Sequence, residues 1–165
     1  MFPSTQLQLA EDVLSACRAR ELRIATAESC TGGLIAGCLT AIAGSSDVFE
    51  RGFVTYTNEA KAEMLDVPPE LIEDLGAVSA PVARAMAEGA IAKSGADIVV
   101  AVTGVAGPGG GTDEKPVGLV HFALARKGDR TIGEHKIFNG DRTAVRAQTV
   151  ETALTLLRIQ AEAAS

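Results

Sequence analysis

The sequence predicts an α/β fold, a three-layer α/β/α sandwich around a mixed β-sheet, on three observations. Helical and strand-like segments interleave along the chain, the arrangement that puts helices on both faces of a sheet. The run Ile98-Val99-Val100-Ala101-Val102 has no polar alternation, as in a strand covered on both sides. Two neighbouring β-type segments, Val117 to Ala125 and Thr131 to Phe138, meet at Arg126-Lys127-Gly128-Asp129, which is hairpin chemistry.

Each element follows from local pattern. After Ser4-Thr5, the apolar residues Leu7, Leu9, Val13, Leu14 and Cys17 recur at near-helical spacing and predict a helix ending near Arg20. Leu22 to Ala27 reads as a strand. Leu34, Ile35, Cys38, Leu39 and Ile42 mark a second helix, stopped by Gly44-Ser45-Ser46, and Phe49 to Thr57 returns to β-type residues. Asn58 is expected to cap a short helix through Leu65, before Val67-Pro68-Pro69 breaks the chain ahead of a helical turn around Leu71. Val78-Ser79-Ala80-Pro81 opens a helix to about Ser94, with proline in the first turn, where its missing N–H costs nothing. Asp97 to Thr103 is the buried strand, and Asp141 caps a last helix, Arg142 to Ala161.

Composition narrows the function classes. A length of 165 residues suits one domain, 1–165, with a substantial core. The net charge of −6 leaves no basic face for nucleic acid. Cys17, Cys30 and Cys38 are an odd set without C-x-x-C spacing, which points to reduced thiols in a cytoplasmic setting rather than a disulfide frame or zinc site. Met1 to Gln8 lacks a signal pattern, and no apolar run approaches the ~20 residues that span a bilayer, so no membrane partner is expected.

Four segments could carry chemistry. Thr26-Ala27-Glu28-Ser29-Cys30-Thr31-Gly32-Gly33 sets Ser29 at a strand-to-helix corner, where unpaired N–H groups and the positive end of the helix dipole favour a phosphate or an oxyanion. The same residues also read as a helix cap with ordinary loop glycines. Gly104-Val105-Ala106-Gly107-Pro108-Gly109-Gly110-Gly111 follows the buried strand, where ligands of open α/β sheets bind, yet it fits neither a Walker loop nor a dinucleotide fingerprint. Tyr56 precedes Lys61 by five residues across a strand-to-helix junction, and a confined lysine can lose its proton and serve as a base for serine. Arg142 and Arg146 share one face of the last helix, where they could grip a phosphate or remain solvated. Cys30 ranks below Ser29 as a nucleophile, because neither histidine has a reason to lie near it. His121 and His135 fall in the hairpin strands, and two histidines without paired cysteines do not suggest a metal site.

Taken together, Ala27-Glu28-Ser29-Cys30-Thr31-Gly32-Gly33, Gly44-Ser45-Ser46, Gly52 to Lys61, Gly76-Ala77-Val78-Ser79, Gly104-Val105-Ala106-Gly107-Pro108 and Gly140-Asp141-Arg142 closely resemble the CinA carboxy-terminal domain family, in the same order over nearly the whole chain. The resemblance implies an α/β/α sandwich and hydrolysis of the carboxamide of nicotinamide mononucleotide to nicotinate mononucleotide and ammonia, without metal or cofactor. It also implies Ser29 as nucleophile, Lys61 as base and Tyr56 assisting. Backbone N–H groups near Cys30, Thr31, Gly32 and Gly33 would hold the oxyanion, and Thr103, Gly104, Gly107, Arg142 and Arg146 are candidates to bind the ribose phosphate. Many relatives carry a larger amino-terminal domain, and relatives associate, so a homodimer is expected. Two alternatives stand beside this reading: a non-catalytic nucleotide-binding module, and an amidase for another small carboxamide.

Overall fold

The computed structural model describes residues 1–163; the last two residues of the expected 1–165 domain lie outside the described residues. Among the described residues, α1 (Ser4–Ala19), β1 (Ile24–Glu28), α2 (Leu34–Thr40), β2 (Phe49–Val54), α3 (Asn58–Leu65), α4 (Pro69–Leu75), α5 (Ala80–Lys93), β3 (Ile98–Gly104), β4 (Leu119–Arg126), β5 (Ile132–Ile137) and α6 (Arg142–Glu162) follow one another, with a short 3-10 turn at Ser45–Asp47. The sheet order is β2-β1-β3-β4-β5. β1 pairs in parallel with both β2 and β3, and the hairpin strands complete the sheet antiparallel to β3. The expected mixed α/β sandwich is the fold observed.

Strand parity sorts the two faces by size. Ile24, Ile98, Val100, Val102, Phe122 and Leu124 point to the layer of α1, α2 and α6, whereas the layer built on α5 is met mostly by alanines, Ala25, Ala27, Ala101, Ala123 and Ala125, beside Val99 and Phe53. The facing residues of α5 are also mostly small, Ala83, Ala87 and Ala90 beside Val82 and Met86. Small residues on both sides let that helix approach the sheet closely, while the bulky face fills the wider gap beneath α1 and α6.

Several boundaries differ from expectation, and three of them shape the site. β1 runs on to Glu28, since a strand flanked on both sides keeps its ladder to the end. β2 stops at Val54 instead of Thr57, because Thr55, Tyr56 and Thr57 turn the chain into α3. Thr57, not Asn58, is the cap of α3: it is extended and its side chain accepts from Ala60 N at 3.0 Å, while Asn58 is already helical.

The topology creates the site. The chain leaves β1 toward the α1/α2/α6 layer and leaves the adjacent β2 toward the α3/α4/α5 layer, so the carboxyl ends of β1 and β2 part to opposite faces. A crevice opens at such a switch point, where open α/β sheets bind their ligands. Ser29 follows β1 and Thr55 to Lys61 follow β2, so both arms of the crevice carry the residues singled out above.

Candidate active site

Lys61 is drawn inward by the first turns of α3, and its side chain is 1% exposed. Its Nζ lies 2.9 Å from Ser29 Oγ, 2.8 Å from the carbonyl oxygen of Thr55 and 3.2 Å from that of Tyr56. Burial, without a carboxylate to oppose it, brings its pKa down from 10.5 to about 8. The surroundings of the amine also direct it. Both carbonyls can only accept, so in the neutral form they take the two N–H groups and the lone pair is left facing the Ser29 hydroxyl.

The turn that presents Ser29 is held from behind. Gly32 and Gly33 have φ of +57° and +101°, conformations that side chains resist, which lets the chain reverse from β1 into α2 within a few residues. Glu28, fully buried, accepts from Thr31 Oγ1 at 2.7 Å, Ile35 N at 2.9 Å and Ala36 N at 3.0 Å. The first N–H groups of α2 are therefore taken by the protein's own carboxylate and are not open to a ligand, unlike the open helix end expected from sequence. Among the described residues, the N–H groups of Cys30 and Thr31 donate to no other residue. The Cys30 thiol is pushed up to about 11, chiefly by burial, so it is not a thiolate near neutrality.

A cavity of about 300 Å³ opens over Ser29 and Lys61, bounded by Cys30, Tyr56, Thr103, Arg142 and the loop from Gly104 to Gly110. Thr103, on the wall of this cavity, donates its hydroxyl to Ala77 O at 2.9 Å. Arg142 spans the rim, donating to Gly107 O at 2.7 Å and to the Tyr56 hydroxyl at 2.9 Å. Tyr56 thus meets Lys61 through its main-chain carbonyl, while its phenol, on a residue 55% exposed, belongs to the rim. Ser29, Cys30, Tyr56, Lys61, Thr103, Gly104, Gly107 and Arg142 are brought together around this cavity.

Thr31, Gly32, Gly33 and Arg146 do not border it. Arg146 stands behind the Ser29 turn and donates to Cys30 O at 3.1 Å and Thr31 O at 3.2 Å. His121 and His135 face each other across the hairpin with ring centroids 5.5 Å apart, and neither lines this cavity. A larger hollow of about 440 Å³, lined by Glu59, Glu63, Ile72 and Glu73, carries no nucleophile. Sequence reasoning assigned no role to Glu28 or to the Thr55 carbonyl. A carboxylate at the end of an otherwise apolar strand was the available signal for the first; nothing in the sequence marks a carbonyl.

The chain matches the CinA C-terminal domain over residues 6–161. It is 51% identical over 157 residues to the nicotinamide-nucleotide amidohydrolase PncC of Escherichia coli, covering 95% of each chain. It is 54% identical over 135 residues to a CinA-like protein of Akkermansia muciniphila, covering 82% of this chain and 33% of that one. It thus spans about a third of the length of some curated relatives and nearly all of others. The solved structure of the competence/damage inducible protein CihA from Agrobacterium tumefaciens superposes with a TM-score of 0.94 at 49% identity, covering 99% of both chains.

Proposed function

The chain belongs to the CinA C-terminal domain family, and from that membership together with the buried Ser29–Lys61 pair we propose that it is a nicotinamide-nucleotide amidohydrolase, converting nicotinamide mononucleotide and water to nicotinate mononucleotide and ammonia. The observation that carries the reading is the 2.9 Å separation of Ser29 Oγ from a buried amine whose pKa has fallen to about 8.

In the first half-reaction Ser29 Oγ attacks the carboxamide carbon as its proton passes to the lone pair of neutral Lys61. The negative charge that develops on the carbonyl oxygen is met by the free N–H of Cys30, the residue after the nucleophile, an effect worth about 2.7–4 kcal/mol per donor. The tetrahedral intermediate collapses by breaking the C–N bond, and ammonia leaves with the proton held by Lys61. Water then attacks the acyl ester, Lys61 takes its proton and returns it to Ser29 Oγ, and nicotinate mononucleotide departs. Arg142 and the N–H groups of the glycine loop face the same cavity and hold the ribose phosphate, with Tyr56 closing the rim. Arg146 contributes from behind the turn instead of contacting the phosphate.

The whole chain acts in this reading as one amidohydrolase domain in the cytoplasm, where its free, buried cysteines stay reduced. No helix among the described residues is long and apolar enough to cross a membrane. Two copies pair through the outer strand β5, where Ile132 and Ile137 stand 52% and 60% exposed and a two-fold axis at His135 would set Glu134 opposite the partner's Lys136. Sedimentation equilibrium showing only monomer at assay concentration would remove this part.

The activity is tested by ammonia release from nicotinamide mononucleotide, using chelator-treated protein beside Ser29→Ala. Release by the wild type, reduced by at least about a thousandfold in the variant, is expected. Tight mononucleotide binding with no release by the wild type would point to the binding-module alternative.

A further inference from the structure

The reaction above gives no step to Glu28, although this wholly buried carboxylate directly precedes the nucleophile. Burying a carboxylate is costly unless its oxygens are satisfied, and both oxygens here accept: Oε1 from Thr31 Oγ1 and Ile35 N, Oε2 from Ala36 N. A Ser or Thr would cap a helix as well, as Thr57 and Ser79 do for α3 and α5, without burying a charge. What Glu28 adds is a tie from the end of β1 to the start of α2 that bridges the nucleophile between them. Arg146 grips the same turn from α6, where its fork meets two successive carbonyls, Cys30 O and Thr31 O. The N–H of Cys30 belongs to the preceding peptide, whose carbonyl, Ser29 O, accepts from Gly32 N at 3.0 Å, so holding the Cys30 and Thr31 carbonyls fixes the turn that this bond closes.

We propose that Glu28 and Arg146 are positioning residues for amide hydrolysis: they clamp the Ser29 turn from behind, aiming Oγ at Lys61 and leaving the N–H of Cys30, which borders the cavity, to meet the oxyanion. Glu28 occupies the helix end so that neither solvent nor the substrate phosphate can, and Arg146 keeps the carbonyls from rotating inward. The inference rests on the reading of Ser29 as the nucleophile. Since neither residue borders the cavity, substrate affinity should be indifferent to both.

Glu28→Gln keeps the shape, but its amide nitrogen cannot accept, so one of the N–H groups of Ile35 and Ala36 loses its partner. Arg146→Met keeps the stem and removes the fork. Each variant is expected to lower kcat for nicotinamide mononucleotide about 10- to 100-fold with KM within about twofold, while circular dichroism shows a folded protein. Arg146→Lys should restore only part of the loss, because an ammonium does not reproduce the two-carbonyl fork. A second readout, the rate at which a fluorophosphonate labels Ser29, should fall in parallel and does not depend on the natural substrate. Unchanged kcat and labelling in either folded variant would overturn the clamp, as would losses in kcat and KM that merely follow the unfolded fraction. If Glu28→Gln fails to fold, Arg146→Met decides. A wild type that releases no ammonia yet is labelled at Ser29 faster than the variants would defeat the proposed substrate and leave the clamp standing.

Discussion

At the scale of single residues, the chemistry turns on how one amine is buried. Lys61 lies among two carbonyls and a hydroxyl with its pKa near 8, so roughly a tenth of it is neutral at pH 7. A base must be unprotonated in the free enzyme, so kcat/KM should rise with pH and level off above about 8. A rate that falls through that range would exclude Lys61 as the base. The same shift makes a stability prediction. Between about 8 and 10.5 the unfolded chain holds a proton on Lys61 that the folded chain has lost, so this residue's contribution to unfolding free energy grows with pH in that window. Denaturant titrations should show the gain in the wild type and not in Lys61→Met, which should also be inactive. Ser29, Tyr56 and Lys61 were legible as motif residues, but their meeting was not. Ser29 and Lys61 are separated by 32 positions, and only the sheet register brings the ends of β1 and β2 side by side.

Among elements, α3 matters because it carries Lys61, and its seat is fixed by a close approach. A Cβ built on Gly89 of α5 would overlap the carbonyl oxygen and carbon of Leu65, the last residue of α3. In an open helix Gly→Ala is worth about 1 kcal/mol of stabilisation. At Gly89 the backbone clash should outweigh that, so Gly89→Ala is expected to destabilise by about 3 kcal/mol and to lower kcat by shifting α3. Greater stability in a melting experiment would show that the two helices are not held at this contact. Helix caps were partly legible: Ser79 and Asp141 serve as their sequence context suggests, accepting from Val82 N and Ala144 N. The cap of α3 falls one residue earlier than expected, because the end of β2 rather than side-chain preference decides where the chain turns.

Across the whole molecule, the two faces of the sheet are unequal, and the bulky one bears most of the large core side chains. Phe122 is buried there edge-on to Phe138, with ring centroids 6.3 Å apart. Phe122→Ala should cost about 3–5 kcal/mol and lower the melting temperature by roughly 10 °C. Because β4 is not among the residues around Ser29, the protein that remains folded should keep its KM; a changed KM would mean that the hairpin strand reaches the site. Sequence by itself determined the class of fold, the order of its elements and the residue types able to do amide chemistry, since hydrophobic period, turn residues and motif spacing are local properties of the chain. Only the tertiary structure decided that β1 lies between β2 and β3, that Glu28 closes the helix end that seemed open to an anion, and that Arg146 grips the turn from behind while Arg142 faces the cavity. Those outcomes depend on strand order and on which side of a layer each side chain emerges, which pairing between distant segments sets and local pattern does not record.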